Sequence, residues 1–133
     1  MKVTGVVLSL LLVSFGAALL SAQNDEKKNG KTPSVFAEIA ADWRVREDPY
    51  DSDPNAIRAG QKLFRRHCAE CHGEDGRGID KAANLRSPAI QNASPGELAW
   101  ILRNGNLKAG MPSWSGLPEQ RRWQIIAYLK SLH

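Results

Sequence analysis

The chain has 133 residues, of which 42% are hydrophobic, with 18 basic and 14 acidic side chains and a net charge of +4. That length predicts one domain. Two cysteines are too few for a multi-bridge disulfide scaffold, and the lack of internal repeats or period-two alternation excludes solenoid and β architectures.

Lys2 supplies a positive start, Val6 to Leu20 an apolar run, and Ser21-Ala22 a small-residue exit. This predicts a signal peptide over residues 1–22, cleaved after Ala22. Leu20 is bulky for its place before the cut. The alternative is an uncleaved N-terminal membrane anchor, because the run approaches spanning length. No cysteine follows it, so lipid attachment at the junction is excluded.

Residues 23–53 read as an N-terminal linker or extension, and residues 54–133 as the folded domain. Gln23 to Pro33 is polar and predicts a disordered linker. Ser34 to Trp43 reads either as a short helix, with Val35, Phe36, Ile39 and Ala40 on one side, or as a loose lead-in. Arg44 to Asp53, charged and containing Pro49, predicts extended chain. Asp53-Pro54 then opens a helix, Asp as N-cap and Pro in the first position. Ile57, Gly60, Phe64 and Cys68 form its stripe.

That helix is expected to carry both thiols of Cys68-Ala69-Glu70-Cys71-His72. On a helix the two thiols and the imidazole share one face. C-x-x-C-H is the signature of covalent c-type haem attachment. Cys68 and Cys71 would bond to the vinyl groups, and His72 would reach the iron. A thioredoxin-like pair would lie near a βαβ pattern, which is absent here. A zinc site needs four ligands, and His67 and His133 do not supply a second pair. His67 is expected at the surface, facing away from the ring.

Gly73, Gly76 and Gly78 predict a tight loop; with no preceding strand they are not a phosphate cradle. Ser94-Pro95-Gly96-Glu97 is a capping box that starts a helix through Arg103, closed at Asn104-Gly105. Leu98, Ile101 and Leu102 are its apolar face, while Trp100 reads as either a haem-edge contact or a surface aromatic. Gly105 to Gly116 is a loop holding Met111 between Gly110, which permits close approach, and Pro112, which stiffens the backbone. Apart from Met1 this is the only methionine. Haem iron is commonly held by His on one face and Met on the other, so Met111 is the candidate second axial ligand. Trp114 is expected in the core, with a cover over the ring as the other reading. Pro118 starts the last helix, whose Ile125, Tyr128, Leu129 and Leu132 form an apolar stripe.

Gly60 and Phe64, the C-x-x-C-H motif, Asn84-Leu85, Gly110-Met111-Pro112 and Ala127-Tyr128-Leu129 together resemble a class I mono-haem cytochrome c of the bacterial secreted type, over about residues 54 to 133. The resemblance implies an all-α fold of three to five helices wrapped around one covalent haem c. It implies that Gly60 lets the last helix cross closely, against Tyr128. It also implies that a backbone carbonyl near Asn84-Leu85 accepts the His72 ring N–H; where the family often has Pro, this chain has Ala83. Haem attachment outside the cytoplasm is implied too, in agreement with the signal, giving a periplasmic or otherwise extracytoplasmic protein.

The function expected is electron transfer, not bond-making catalysis: both axial positions are filled, and no acid/base constellation accompanies them. The protein is then a free carrier or the haem subunit of a dehydrogenase or oxidase. The alternative is a gas- or ligand-binding haem sensor, if Met111 is not a stable ligand. A peroxidase would need an open iron and a distal acid/base pair. Expected partners are a dehydrogenase, an oxidase or another cytochrome, with possible membrane association through the N-terminus. Nucleic acid does not fit an exported haem protein. Residues 23–53 carry 5 basic and 8 acidic side chains, and residues 54–133 carry 12 and 6. A basic domain face would steer an acidic partner. A domain this small is expected to need its haem as a staple, and so to be largely unfolded without it.

Overall fold

The computed structural model describes residues 34–132. The predicted signal peptide and the predicted 23–33 linker lie outside the described residues. The described chain runs α1 (Ser34–Ala37), α2 (Ala41–Arg44), α3 (Pro54–His67), α4 (Ala69–His72), α5 (Pro88–Gln91), α6 (Pro95–Asn104), a 3-10 turn (Leu107–Ala109) and α7 (Glu119–Lys130). The fold is all-α. α3, α6 and α7 are its long helices, and the other four are single turns. The only β-type pairing among the described residues is one antiparallel bridge, Asn106 with Met111.

The helix starts are where local chemistry puts them. The Asp53 carboxylate accepts the Asn55 N–H at 2.8 Å, with Pro54 in the first turn. At α6 the capping box is complete: Ser94 Oγ accepts from Glu97 N, and a Glu97 carboxylate oxygen accepts from Ser94 N. Each pairing satisfies an amide that the helix itself leaves without a partner.

Packing follows from the stripes. Ala56, Gly60 and Phe64 are the buried residues of α3, spaced one turn apart. α3 crosses α7 at Gly60, where a Cβ would lie 1.8 Å from the Gln124 carbonyl oxygen and 2.9 Å from Tyr128 Cβ. A mid-helix Gly costs about 1 kcal/mol against Ala; the close crossing is what it makes possible. One turn on, Phe64 and Tyr128 pack with ring centroids 5.3 Å apart and planes tilted by 54°. The predicted α7 stripe of Ile125, Tyr128, Leu129 and Leu132 is buried throughout, and Trp123, Ile126 and Ala127 are buried as well. The apolar surface is wider than one stripe because α3 and α6 both pack on this helix.

Three local expectations are corrected. Ser34 to Trp43 is two single turns, not one helix: Ala40 is extended, with φ −63° and ψ 147°. The break sends Phe36 and Ile39 into the core, at 4% and 5% exposure, and leaves Ala40 outside. So short a helix is marginal alone, and burial outweighs its continuation. Arg44 to Asp53 is not extended throughout. The Asp48 carboxylate accepts the Tyr50 N–H at 2.8 Å, and a turn follows at residues 49–52. The thiols are not on one continuous helix either. Cys68, with φ −121° and ψ −33°, separates α3 from α4.

Candidate cofactor site

α3 delivers the chain to Cys68, and α4 carries Cys71 and His72. Despite the break at Cys68, the hydrogen bonds continue from Cys68 N to Phe64 O (2.8 Å) and from His72 N to Cys68 O (2.9 Å). The glycine-rich loop folds back at once: Gly78 N donates to His72 O at 2.8 Å, and Ile79 N to Cys71 O at 2.9 Å. The loop thereby brings the Ala83 carbonyl 3.0 Å from His72 Nδ1. A carbonyl only accepts, so Nδ1 is the donor, and in the neutral ring the lone pair is on Nε2. The predicted acceptor is thus Ala83 itself; a backbone oxygen needs no proline.

Cys68 is half-buried and Cys71 exposed. Burial, helped by the charge of neighbouring Cys71, pushes the Cys68 thiol up to about 11. Disulfide-exchange pairs depend on a thiol lowered towards neutrality, so this environment does not suit one. No cluster of three or more His, Cys, Asp or Glu side chains placed for a metal ion occurs among the described residues.

Met111 reaches the site from the far end of α6. Gly105 caps that helix with φ 75° and ψ −175°, a region open essentially to glycine. A Cβ at Gly105 would sit 2.7 Å from the Met111 carbonyl oxygen. Asn106 and Met111 exchange two backbone hydrogen bonds of 3.0 Å, and Trp114 N donates to Leu102 O at 2.9 Å. Gly110 supplies a left-handed φ of 83° but faces open space. The close approach expected of Gly110 is therefore made at Gly105.

Both ends meet in one cavity of about 560 Å³, within the roughly 300–1,000 Å³ of cofactor and ligand sites. Cys68, Cys71, His72 and Met111 all line it, on a predominantly apolar wall that includes Phe64, Leu98, Ile125 and Leu129. Trp114 lines it too, whereas Trp100 does not. His67 was expected at the surface. It is half-buried, lines the cavity, and meets Trp114 edge-on at 5.4 Å between centroids. Its spacing of three from Phe64 places it beside the buried stripe, which is the signal that would have found it. Val35 and Phe36 also line the cavity. The apolar pattern of residues 34–43 marked them for burial but not for this wall.

Residues 55–129 match the family described as cytochrome C oxidase, cbb3-type, subunit III, more than half of the chain. The chain belongs to this cytochrome c family. It is similar to the cytochrome bc1 complex cytochrome c subunit of Corynebacterium diphtheriae, 33% identical over 81 residues, covering 59% of this chain and 28% of that protein. It is similar to the cbb3-type cytochrome c oxidase subunit FixPc of Rhizobium leguminosarum bv. viciae, 37% identical over 76 residues, or 56% of this chain and 26% of the relative. The match thus spans about a quarter of these relatives. Cytochrome c550 of Pseudomonas aeruginosa is 26% identical over 140 residues, covering 96% of this chain and 94% of the relative. The fold is shared with cytochrome CL of Methylophaga aminisulfidivorans, with a TM-score of 0.58 and 22% identity, covering 83% of this chain and 71% of that one.

As a member of this cytochrome c family, the chain takes haem c as its cofactor. The residues present fit that group. The cavity is apolar and large enough, and the Cys68/Cys71 pair at its edge is consistent with covalent attachment. The hydrogen bond to Ala83 leaves His72 Nε2 as the basic nitrogen, the form a metal ligand requires. Met111 offers a soft thioether to the same cavity.

Proposed function

We propose that this is an extracytoplasmic electron-transfer cytochrome with one haem, held through Cys68 and Cys71, with His72 and Met111 as axial ligands. The observation that carries the reading is the bond from His72 Nδ1 to Ala83 O, which commits one ring nitrogen and leaves the other for a ligand in a cavity that both thiols and Met111 also line. When bound, haem c supplies a one-electron ferric/ferrous couple. The chain's own contribution is to hold the ring at two covalent points, exclude water with apolar walls, and present a soft sulfur ligand. The sulfur and the burial both favour the ferrous state and raise the potential. The backbone clamp around Met111 supports a stable ligand, and hence a carrier over a gas sensor.

In this reading the domain is residues 54–133, preceded by a signal over residues 1–22 and the extension 23–53. The signal features of Lys2, the apolar run and Ser21-Ala22 support export. No described helix is long and apolar enough to cross a membrane. The relatives named as bc1 and cbb3 oxidase subunits support a place beside a membrane oxidoreductase, as free carrier or as haem subunit. The basic excess of residues 54–133 favours an acidic partner face, so encounter with that partner slows as salt rises. Stopped-flow rates that ignore ionic strength would argue against such steering.

The deciding experiment has two parts. Haem staining after denaturing electrophoresis of the purified protein tests attachment. Met111→Ala tests the axial ligand: it is expected to abolish the sulfur-to-iron band of the ferric spectrum and to admit carbon monoxide to the ferrous form. An unstained polypeptide, or a spectrum indifferent to Met111→Ala, overturns the reading.

A further inference from the structure

The family match begins at residue 55, yet Val35 and Phe36, about twenty positions earlier, line the cavity. Phe36 and Ile39 are nearly fully buried in the core. Three further contacts hold this segment in place. The Trp43 carbonyl oxygen sits over Gly96, where a Cβ would come within 1.7 Å of it, in the first turn of α6. The Arg44 guanidinium is forked: Nη1 bonds the Glu97 carboxylate, and Nη2 donates to the Phe36 carbonyl at 2.6 Å. Glu38 pairs with Lys108 at 3.0 Å, and Lys108 lies in the 3-10 turn just before Met111. Trp43 is also flanked by cations: Arg46 lies 3.9 Å and Arg103 of α6 5.6 Å from its ring centre.

One segment thus touches α6, the cavity and the turn leading to Met111. Its polar contacts share a logic. Glu97 already caps α6 through Ser94 N, so Arg44 is fastened to a carboxylate that is itself held by the helix start. Arg44 in turn holds the backbone of Phe36, the residue that fills the cavity wall.

We propose that residues 35–46 form a strap that closes the haem cavity with Phe36 and braces the Met111 loop, with Arg44 as the positioning residue that holds Phe36 in place. The proposal rests on the haem and Met111 reading above. The strap tunes the couple by keeping water from the ring, because solvent near the iron favours the more highly charged ferric state. It also lowers the fraction of time that Met111 leaves its place.

The test uses the full-length holoprotein. Phe36→Ala is expected to shift the ferric/ferrous equilibrium about tenfold toward ferric, about 59 mV lower in potential for a one-electron couple. Carbon monoxide uptake by the ferrous form should rise about tenfold as the Met-off fraction grows. Phe36→Leu, which keeps an apolar wall, should restore most of both values; a purely structural role would change stability without this split. Arg44→Ala should shift both readouts in the same direction by less. Val45→Ala, at a position 79% exposed, should shift neither. If Phe36→Ala does not accumulate with haem, Arg44→Ala decides: a shift in both readouts supports the strap, and none overturns it. Phe36→Ala and Arg44→Ala both within about twofold of the parent would overturn the strap while leaving the haem reading intact. A parent without covalent haem, or one unaffected by Met111→Ala, removes the haem reading itself.

Discussion

The two sides of the cavity are wired differently. On the histidine side, residues 64 to 83 make their own site: consecutive helical turns, a short glycine loop and one backbone carbonyl position His72 within a single stretch of chain. On the methionine side, Met111 is set by the end of α6 and by its pairing with Asn106, and Lys108 in the turn before it pairs with Glu38, 70 residues earlier in the chain. Local wiring is insensitive to the rest of the fold, whereas long-range wiring yields when any one of its parts moves. The methionine side is therefore the side on which ligation and potential are expected to be adjustable.

The largest expected effect comes from the histidine side. With Cys68→Ala/Cys71→Ala the haem is no longer held, and a domain of this size loses the body its helices pack on. The far-UV helical signal should fall by about half or more; a haem-free variant with native-like circular dichroism would remove the staple from the account. Next is the seat that both sides share. Gly60→Ala drives a methyl into the Gln124 carbonyl of α7, and backbone has no rotamer with which to give way. Its cost should reach or exceed the about 3 kcal/mol upper end of ordinary overpacking, read from denaturant unfolding of the holoprotein.

Gly105→Ala separates the two sides. Its backbone region is closed to alanine at a cost of about 1–3 kcal/mol, and the added methyl points at the Met111 carbonyl. Covalent haem should persist while the sulfur-to-iron band weakens; equal damage to haem attachment would mean that the two sides are not independent.

The smallest effect lies at the base of the strap. Burial holds the Asp48 carboxyl above the usual carboxylate range, against the opposing pull of the Tyr50 N–H, and Asp51 adds to the rise. A raised native value makes the protonated acid the better fit. Its contribution to stability is complete at low pH and is lost as pH rises through the native titration. Asp48→Asn should therefore gain stability relative to the parent near neutral pH and show no gain near about pH 3. A constant difference at both pH values would show that the carboxyl's ionisation is irrelevant there.

Residues 68–72 disclose the cofactor class without any structure, because the spacing of two thiols and an imidazole is itself the chemistry. The caps at Asp53 and Ser94, the Gly60 crossing toward Tyr128 and the buried stripe of α7 were legible for a similar reason. Each is decided by neighbours three or four residues away, or by a steric demand that only glycine meets. Tertiary structure decided what no local pattern encodes. It divided residues 34–43 into two turns, because burying Phe36 and Ile39 outweighs a marginal helix. It turned His67 inward against Trp114, excluded Trp100 from the cavity, and gave Gly105 the close approach that Gly110 seemed suited to make. For Phe36, Ile39 and His67 the deciding partners lie far along the chain, so the energy that settles the conformation exists only once the fold has brought them together.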